Sequence, residues 1–347
     1  MRILLIKPKQ IGDSLVLTPT IVALKQVHPE AEIWVVVRRG CEGILAGCPE
    51  IARILTVAAV EKSDRRKGDL WMGIKTIWEI YTHKFDYVFE LGDGGRGRNL
   101  ARVAKARSGN AYSVKPADAW AVQSAQKAQF KISTYDWHTR HRVEKDYYSV
   151  SEFLSLPETV PPMRFARDLA RPWPPGNALT DYAVLQVGSR QGFNRWHREG
   201  WREVGAHLLT RFTNVVLSCG PVAHELEEAT WLRQELGPRV LLTEGKASWA
   251  EMAWLLYGAK IYVGPNTAAM HLAAACSCPV VTLFGPSIED HWHPWRVPYR
   301  IVTTPGYAPV EDAQERYARV KKRKMEEIRA VDVIAACDEL LGPTAQP

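Results

Sequence analysis

No stretch of the 347 residues reaches the roughly 18 consecutive apolar residues that a membrane-spanning helix needs, so no such span is expected. The opening MRILLIKPKQ is too short in its apolar part, and too soon interrupted by lysines, to serve as a signal peptide. A cytoplasmic protein is therefore expected. Cysteine is scarce: Cys41, Cys48, Cys219, Cys276, Cys278 and Cys337 match no zinc-ligand spacing, and a reducing compartment argues against disulfides. Cys276 and Cys278 form C-x-C beside PVVTLFG, where small buried residues at a helix–strand turn explain them better than a metal pair. There is no low-complexity tract. No G-x-G-x-x-G follows the first apolar run, which disfavours a dinucleotide-dependent dehydrogenase. The basic residues are scattered and no nucleic-acid module is present, so nucleic acid is not an expected partner. The KKRK at 321–324 reads as a solvated helix face.

What is present is an ordinary globular composition, 46% apolar and 24% charged, with a formal net charge of +7. That excess favours anionic partners without choosing among them. Thirteen tryptophans and twelve tyrosines suit stacking surfaces, although core and rim filling accounts for most of them.

Short β-rich runs alternate with helical stretches. RILLI (2–6), EIWVVV (32–37), IARILTV (51–57) and DYVFEL (86–91) are candidate strands, with helices at 17–29 and about 69–83. Residues 156–181 carry six prolines, which rule out a long regular element. A second series follows, with strands at 182–188, 214–220, 239–243, 260–264 and 279–285. Its helices fit at about 199–211, 223–236, 248–257 and 267–276. Apolar strands without polar alternation are buried on both faces, the mark of parallel sheets. The expected fold class is α/β: two Rossmann-like domains with parallel sheets facing a central cleft. The expected boundaries are 1–160, a proline-rich linker at 161–181, 182–325, and a C-terminal helix at 326–347 packing back near the N-terminal domain.

Ligands in such sheets gather beyond the carboxyl ends of the strands. After the first strand, KPKQIGDSLVLTP (7–19) sets Asp13 at a strand–helix junction. It is either a helix cap or a catalytic base. In YVGPNTAAMHLAAACSCPVVTLFGPS (262–287), a strand runs through Gly264 into Asn266 and Thr267, either of which suits an N-cap. Ala268 and Ala269 allow close approach to a helix N-terminus, a natural anion site, and His271 follows on the first turn or just beyond it.

This last string, with the opening stretch, resembles glycosyltransferase family 9, the ADP-heptose:lipopolysaccharide heptosyltransferases. That family reads N/V-D-T-G-x-x-H-L-A-A-A-L-G-x-P-V-V-x-L-F-G-P-T here, and opens with R/K-x-x-x-x-G-D-x-x-x-x-x-P after a strand. GSRQGFNRWHREGWREVGAHL (188–208), CGPVAHELEEA (219–229), KASWAEMAWLLYGAKIYVGPNT (246–267) and KMEEIRAVDVIAAC (324–337) are similar as well, so the resemblance covers nearly the whole chain in order. It implies a GT-B architecture and metal-independent, inverting transfer of a heptose from an ADP-sugar to the lipopolysaccharide inner core. The donor, ADP-heptose or another nucleotide sugar, is expected mainly on the C-terminal domain and the acceptor mainly on the N-terminal one. No cofactor is implied beyond this co-substrate.

By the resemblance Asp13 is the general base. An inverting transfer needs one carboxylate to take the acceptor proton, and a diphosphate leaving group needs no strong acid. Thr267, Ala268 and His271 take the places that hold the donor's pyrophosphate and sugar, with Ala269 beside them. Asn266 replaces the family Asp and Ala268 its Gly, which bears on how donor hydroxyls are read. Ser189 and Arg190 match a phosphate-binding loop. The family lysine is Asn194 here, so Arg190 or Arg195 is the candidate to supply the charge, with surface arginines an equal reading. Glu225 matches a ribose-binding Glu, with a helix-surface carboxylate equally open. Arg96 and Arg98 in LGDGGRGRNL (91–100), and Arg140, His141 and Arg142 in HTRHRVEKDYY (138–148), are the acceptor-side candidates, suited to an anionic lipid-linked core and compatible with peripheral contact with the inner membrane. Lys7 and Lys9 are candidates for anion contacts near the cleft, with solvated surface lysines the stronger reading. The alternatives are a relative with an altered donor site that uses a different nucleotide sugar, and a non-catalytic nucleotide-binding homologue.

Overall fold

The computed structural model describes residues 1–59, 67–92, 94–104, 106, 110–112, 131–133, 140–176, 179–305 and 312–342. Asp93, His138 and Thr139, which belong to the two basic stretches, lie outside them. The chain divides into two compact units, Met1–Arg164 and Phe165–Pro347.

The first unit runs β1 (Arg2–Lys7), α1 (Ile11–Leu15), α2 (Thr18–Val27), β2 (Glu32–Arg38), α3 (Glu42–Leu45), β3 (Arg53–Val57) and α4 (Asp69–His83). It continues with β4 (Tyr87–Glu90), α5 (Gly95–Ala104), β5 (Asn110–Tyr112), β6 (Lys131–Ile132) and α6 (Arg142–Ser151). Its strands lie in the order β3-β2-β1-β4-β5-β6, all parallel. Ile6 pairs with Val36 on one side and Glu90 on the other. Ile3–Ile6 and Val35–Val37 are fully buried, which is why these runs carry no polar alternation. Leu4, Ile6, Val36, Val88 and Leu100 form one core cluster.

The second unit runs β7 (Tyr182–Gln186), α7 (Arg198–Arg211), β8 (Asn214–Ser218), α8 (Ala223–Leu236), β9 (Val240–Leu242), α9 (Trp249–Gly258) and β10 (Ile261–Pro265). Then come α10 (Ala268–Ala275), β11 (Val280–Phe284), α11 (Glu289–Trp292), β12 (Tyr299–Thr303), α12 (Ala313–Val320) and α13 (Ala330–Leu341). The strand order β12-β11-β10-β7-β8-β9 repeats the first unit's pattern, again all parallel. Each unit is thus a doubly wound sheet whose order reverses beside its first strand, between β1 and β4 and between β7 and β10. In such sheets that reversal opens the ligand crevice.

The proline-rich segment is packed beyond Arg164: Phe165, Ala166 and Trp173 are buried, Arg171 N donates to Ala250 O at 3.0 Å, and the Tyr257 hydroxyl donates to Phe165 O. The C-terminal helix, expected near the N-terminal domain, belongs to the core of the second unit. Val333, Ala336 and Cys337 of α13 join that core, and Arg211 of α7 pairs with Asp338 at 2.8 Å. Apolar spacing correctly marks a buried face of this helix but does not say which sheet covers it. Helices α1, α3, α5, α6 and α11 and strands β5, β6 and β12 went unread, because each is brief, polar or, in α5, opened by glycines that read as a loop. All six cysteines are free and buried, Cys276 and Cys278 between α10 and β11.

Candidate functional site

At the reversal point of the first sheet, β1 ends in Lys7 and the chain turns through Pro8 and Lys9 into α1. Asp13 is the third residue of that helix, and its Oδ2 accepts from the backbone N of Gln10 at 3.2 Å. Capping and half-exposure coexist. A carboxylate has room for about four hydrogen bonds, so the cap does not exhaust it. Lys7, read as solvated, is corrected: it is 3% exposed, and its Nζ pairs with Asp146 Oδ2, which α6 brings to it. Lys9 is exposed. Beside β1, Glu90 at the end of β4 is fully buried and accepts from Gly92 N at 3.0 Å. A Cβ on Gly97 would meet Glu90 Cδ and Cγ at 2.9 Å.

The acceptor-side candidates scatter in character. Arg96 donates to Ala58 O, and Arg98 is 5% exposed. His141 is buried at the N-cap of α6, where its Nδ1 accepts from Val143 N at 3.1 Å while its own N donates to Glu144 Oε2 at 3.2 Å. A helix cap is the role that position supports. Arg142 is half-buried and Arg140 exposed.

At the reversal point of the second sheet the donor-side candidates assemble from the ends of three strands. After β7, Val187–Ser189 are buried, and Arg190 is exposed. Ser189 Oγ accepts from Gln191 N at 3.3 Å, and Ser189 O accepts from Arg195 Nε at 3.3 Å. After β8, α8 carries Glu225 inward. It is 3% exposed, its Oε2 accepts from Gly220 N at 2.7 Å, and its side chain fills the space a Cβ on Gly188 would need. Glu225 is therefore no helix-surface carboxylate. After β10, Thr267 takes the N-cap position of α10 in extended conformation without capping through its hydroxyl, which is buried and has no hydrogen-bond partner among the described residues. The first intrahelical bond runs from His271 N to Thr267 O at 3.4 Å, so the preceding N–H groups form the open end of the helix. Asn266, Thr267 and Ala268 are half-buried and Ala269 is buried. His271 is 3% exposed and stands edge-on to Trp292, ring centroids 5.9 Å apart.

Three residues carry more than sequence reasoning assigned. Asn194, in the place of the family lysine, is buried and its Nδ2 donates to Asn266 O at 3.2 Å, tying the loop after β7 to the loop after β10. Trp196 Nε1 donates to Ile328 O at 2.9 Å, and a Cβ on Gly285 would meet Met325 Cγ at 2.8 Å. The KMEEI segment therefore packs against the same carboxyl ends of the strands. Glu228, one turn beyond Glu225, has its carboxyl pushed up to about 7 by burial, against the pull of Arg198 and Arg195. Among the described residues no three His, Cys, Asp or Glu side chains gather to hold a metal ion, and no helix is long and apolar enough to cross a membrane.

A buried carboxylate seated among glycines, the Gly188–Arg190 turn and an open helix end gather at the strand ends of a parallel sheet, in an α/β protein of the two-Rossmann kind. The sequence model of glycosyltransferase family 9 (heptosyltransferase) matches residues 105–321. The chain belongs to this family and is a glycosyltransferase. It is 29% identical over 346 residues to lipopolysaccharide heptosyltransferase 3 of Escherichia coli, covering 96% of each chain. To lipopolysaccharide heptosyltransferase 1 of Pseudomonas aeruginosa it is 28% identical over 293 residues, 83% of this chain and 79% of that one. Among solved structures, the E. coli heptosyltransferase WaaC with ADP matches with a TM-score of 0.79 at 19% identity, over 98% of this chain and 100% of that one. That likeness bears on the fold, which is of the GT-B type.

Proposed function

We propose that this enzyme is an inverting heptosyltransferase that moves a heptose, or a related sugar, from an ADP-sugar to the inner core of lipopolysaccharide, on the cytoplasmic side of the membrane and without a metal. The observation that carries the reading is the second unit's strand-end cluster. There the open N-terminus of α10 and the Gly188–Arg190 turn lie at one sheet reversal, tied together by Asn194. Backbone N–H groups and a helix end suit a diphosphate, and they stabilise its charge as the glycosidic bond breaks. In this reading Glu225 reaches the ribose, Thr267, Ala268, Ala269 and His271 face the diphosphate and sugar, and Arg190 or Arg195 adds positive charge.

Asp13 serves as general base, taking the proton from the acceptor hydroxyl as it attacks the anomeric carbon. Its single capping bond keeps the carboxylate ordered and its half-exposure keeps it reachable. One carboxylate suffices because the leaving group is already a weak base, unlike the paired carboxylates of glycosidases. Calorimetry with ADP should show binding, and ADP-heptose with a heptose-deficient core acceptor should give product. Asp13→Asn should lower turnover by about 10²–10⁴ with ADP binding unchanged; equal turnover would remove Asp13 from the role.

A second reading has one specific support. Asn194 spends its side-chain amide on the backbone O of Asn266, and Asn266 itself presents a neutral amide, at two positions where the family carries charge. A donor other than ADP-heptose follows if that charge reads the sugar. A screen across ADP-, GDP- and UDP-sugars, read by the mass of the acceptor product, separates the two.

A further inference from the structure

Helix α4 is built the wrong way round for a soluble domain. Its apolar residues Leu70, Trp71, Ile74, Ile77, Trp78 and Tyr81 are 76%, 74%, 48%, 45%, 64% and 55% exposed. At 3.6 residues per turn they share an arc of roughly 120°. They make up six of the twelve large apolar side chains exposed among the described residues. The helix is fastened to its unit largely by its polar side. Asp69 pairs with Arg39 at 2.6 Å, Thr76 Oγ1 donates to Thr56 O at 2.7 Å, and Glu79 pairs with Arg53 at 2.6 Å; Ile80 is its buried apolar residue. A contiguous outward stripe of this kind marks an interaction surface.

The charge around the stripe selects the partner. Both acids of the helix are taken up by arginines of the fold, whereas Lys67 just before it, Lys84 just after it and Lys75 at its middle, 3.9 Å from Glu79, are exposed. Trp and Tyr prefer the headgroup level of a bilayer, and lysines flanking them meet anionic lipid. A second copy of the chain would set these lysines against their own equivalents.

We propose that α4 is an interfacial helix that lays Trp71, Trp78 and their apolar neighbours into an anionic phospholipid bilayer, holding the enzyme where a lipid-anchored acceptor is presented. The purpose rests on the reading of the acceptor as lipopolysaccharide; the docking itself does not.

Full-length protein is sedimented with vesicles of phosphatidylcholine alone or mixed with phosphatidylglycerol. Wild type should bind the mixed vesicles, more weakly as salt rises, and the paired substitution Trp71→Ser with Trp78→Ser should lower partitioning about tenfold or more. Circular dichroism and ADP affinity should stay unchanged in that variant, because both side chains are exposed. Absence of binding by wild type, or equal binding by the variant, overturns the proposal. Equal binding to phosphatidylcholine alone overturns the anionic part. A dimer in light scattering that the variant abolishes, without vesicle binding, makes the occupant a second copy. Transfer to a delipidated, soluble acceptor is measured alongside. Its failure with vesicle binding intact would refute the acceptor reading and leave the docking standing.

Discussion

Replacing Gly188 with alanine tests whether the buried Glu225 carboxylate occupies the seat that the glycine leaves. The backbone of Gly188 lies outside the left-handed region, so alanine brings no conformational strain of its own. The new Cβ would stand 2.7 Å from Glu225 Cδ and 2.8 Å from Cγ. The whole end of the side chain must then swing away and release its 2.7 Å bond from Gly220 N. Overpacking of this kind costs about 1–3 kcal/mol, and a lost charge-assisted hydrogen bond falls in the same range. Glu225→Ala alone should cost about 1.5–3 kcal/mol by leaving the Gly220 N–H without its acceptor. Together the two substitutions should cost little more than Glu225→Ala alone, because the clash partner is gone. The coupling, read from urea unfolding of the four proteins, is expected at about 1–3 kcal/mol. ADP titrations of the same four add the functional arm: each single variant should weaken binding about tenfold or more if the carboxylate reaches the ribose. Strictly additive stabilities would refute the packing argument. Unchanged ADP affinity in Glu225→Ala would refute the ribose role and leave the packing argument intact.

Lys7→Met should destabilise the first unit by about 3–5 kcal/mol, since Asp146 is fully buried and would lose its cation. Adding Asp146→Leu should restore most of that in urea unfolding, and no restoration would count against the pair. Glu228 holds its proton more tightly folded, near pH 7, than unfolded, near 4.5, so its contribution favours the fold below pH 4.5 and is lost as pH rises through 7. Glu228→Gln should accordingly match wild type in urea midpoint below pH 4.5 and exceed it above pH 7; parallel curves would show the carboxyl to be unshifted. Trp196→Phe should cost about 1–3 kcal/mol by stranding Ile328 O, and limited proteolysis should then release the C-terminal segment earlier than in wild type.

Strand runs such as RILLI and PVVTLFG were legible because doubly buried parallel strands write continuous apolar sequence, and the NTAAMHLAAACSCPVVTLFGPS string was legible because an N-cap residue, an alanine-rich helix and a second apolar run follow one another without a break. Glu225, Asn194 and Lys7 were not. Each is a polar residue whose partner lies far along the chain: Gly188 and Gly220, Asn266, and Asp146. Local sequence does not distinguish such a residue from a solvated one. Helix α4 was readable as a helix, but its apolar stripe would have been assigned to the core.

The sequence by itself determined the two α/β series, the candidate strand ends and the family, because those follow from local periodicity and from contiguous motifs. Tertiary structure alone decided that Asp13 is both cap and half-exposed carboxylate, that the replaced lysine became an amide tie, that α13 completes the second sheet's core, and that α4 turns its tryptophans to solvent. Those outcomes depend on which distant backbone N–H, carbonyl or counter-charge the fold brings within about 3 Å of a side chain, a distance that chain order does not encode.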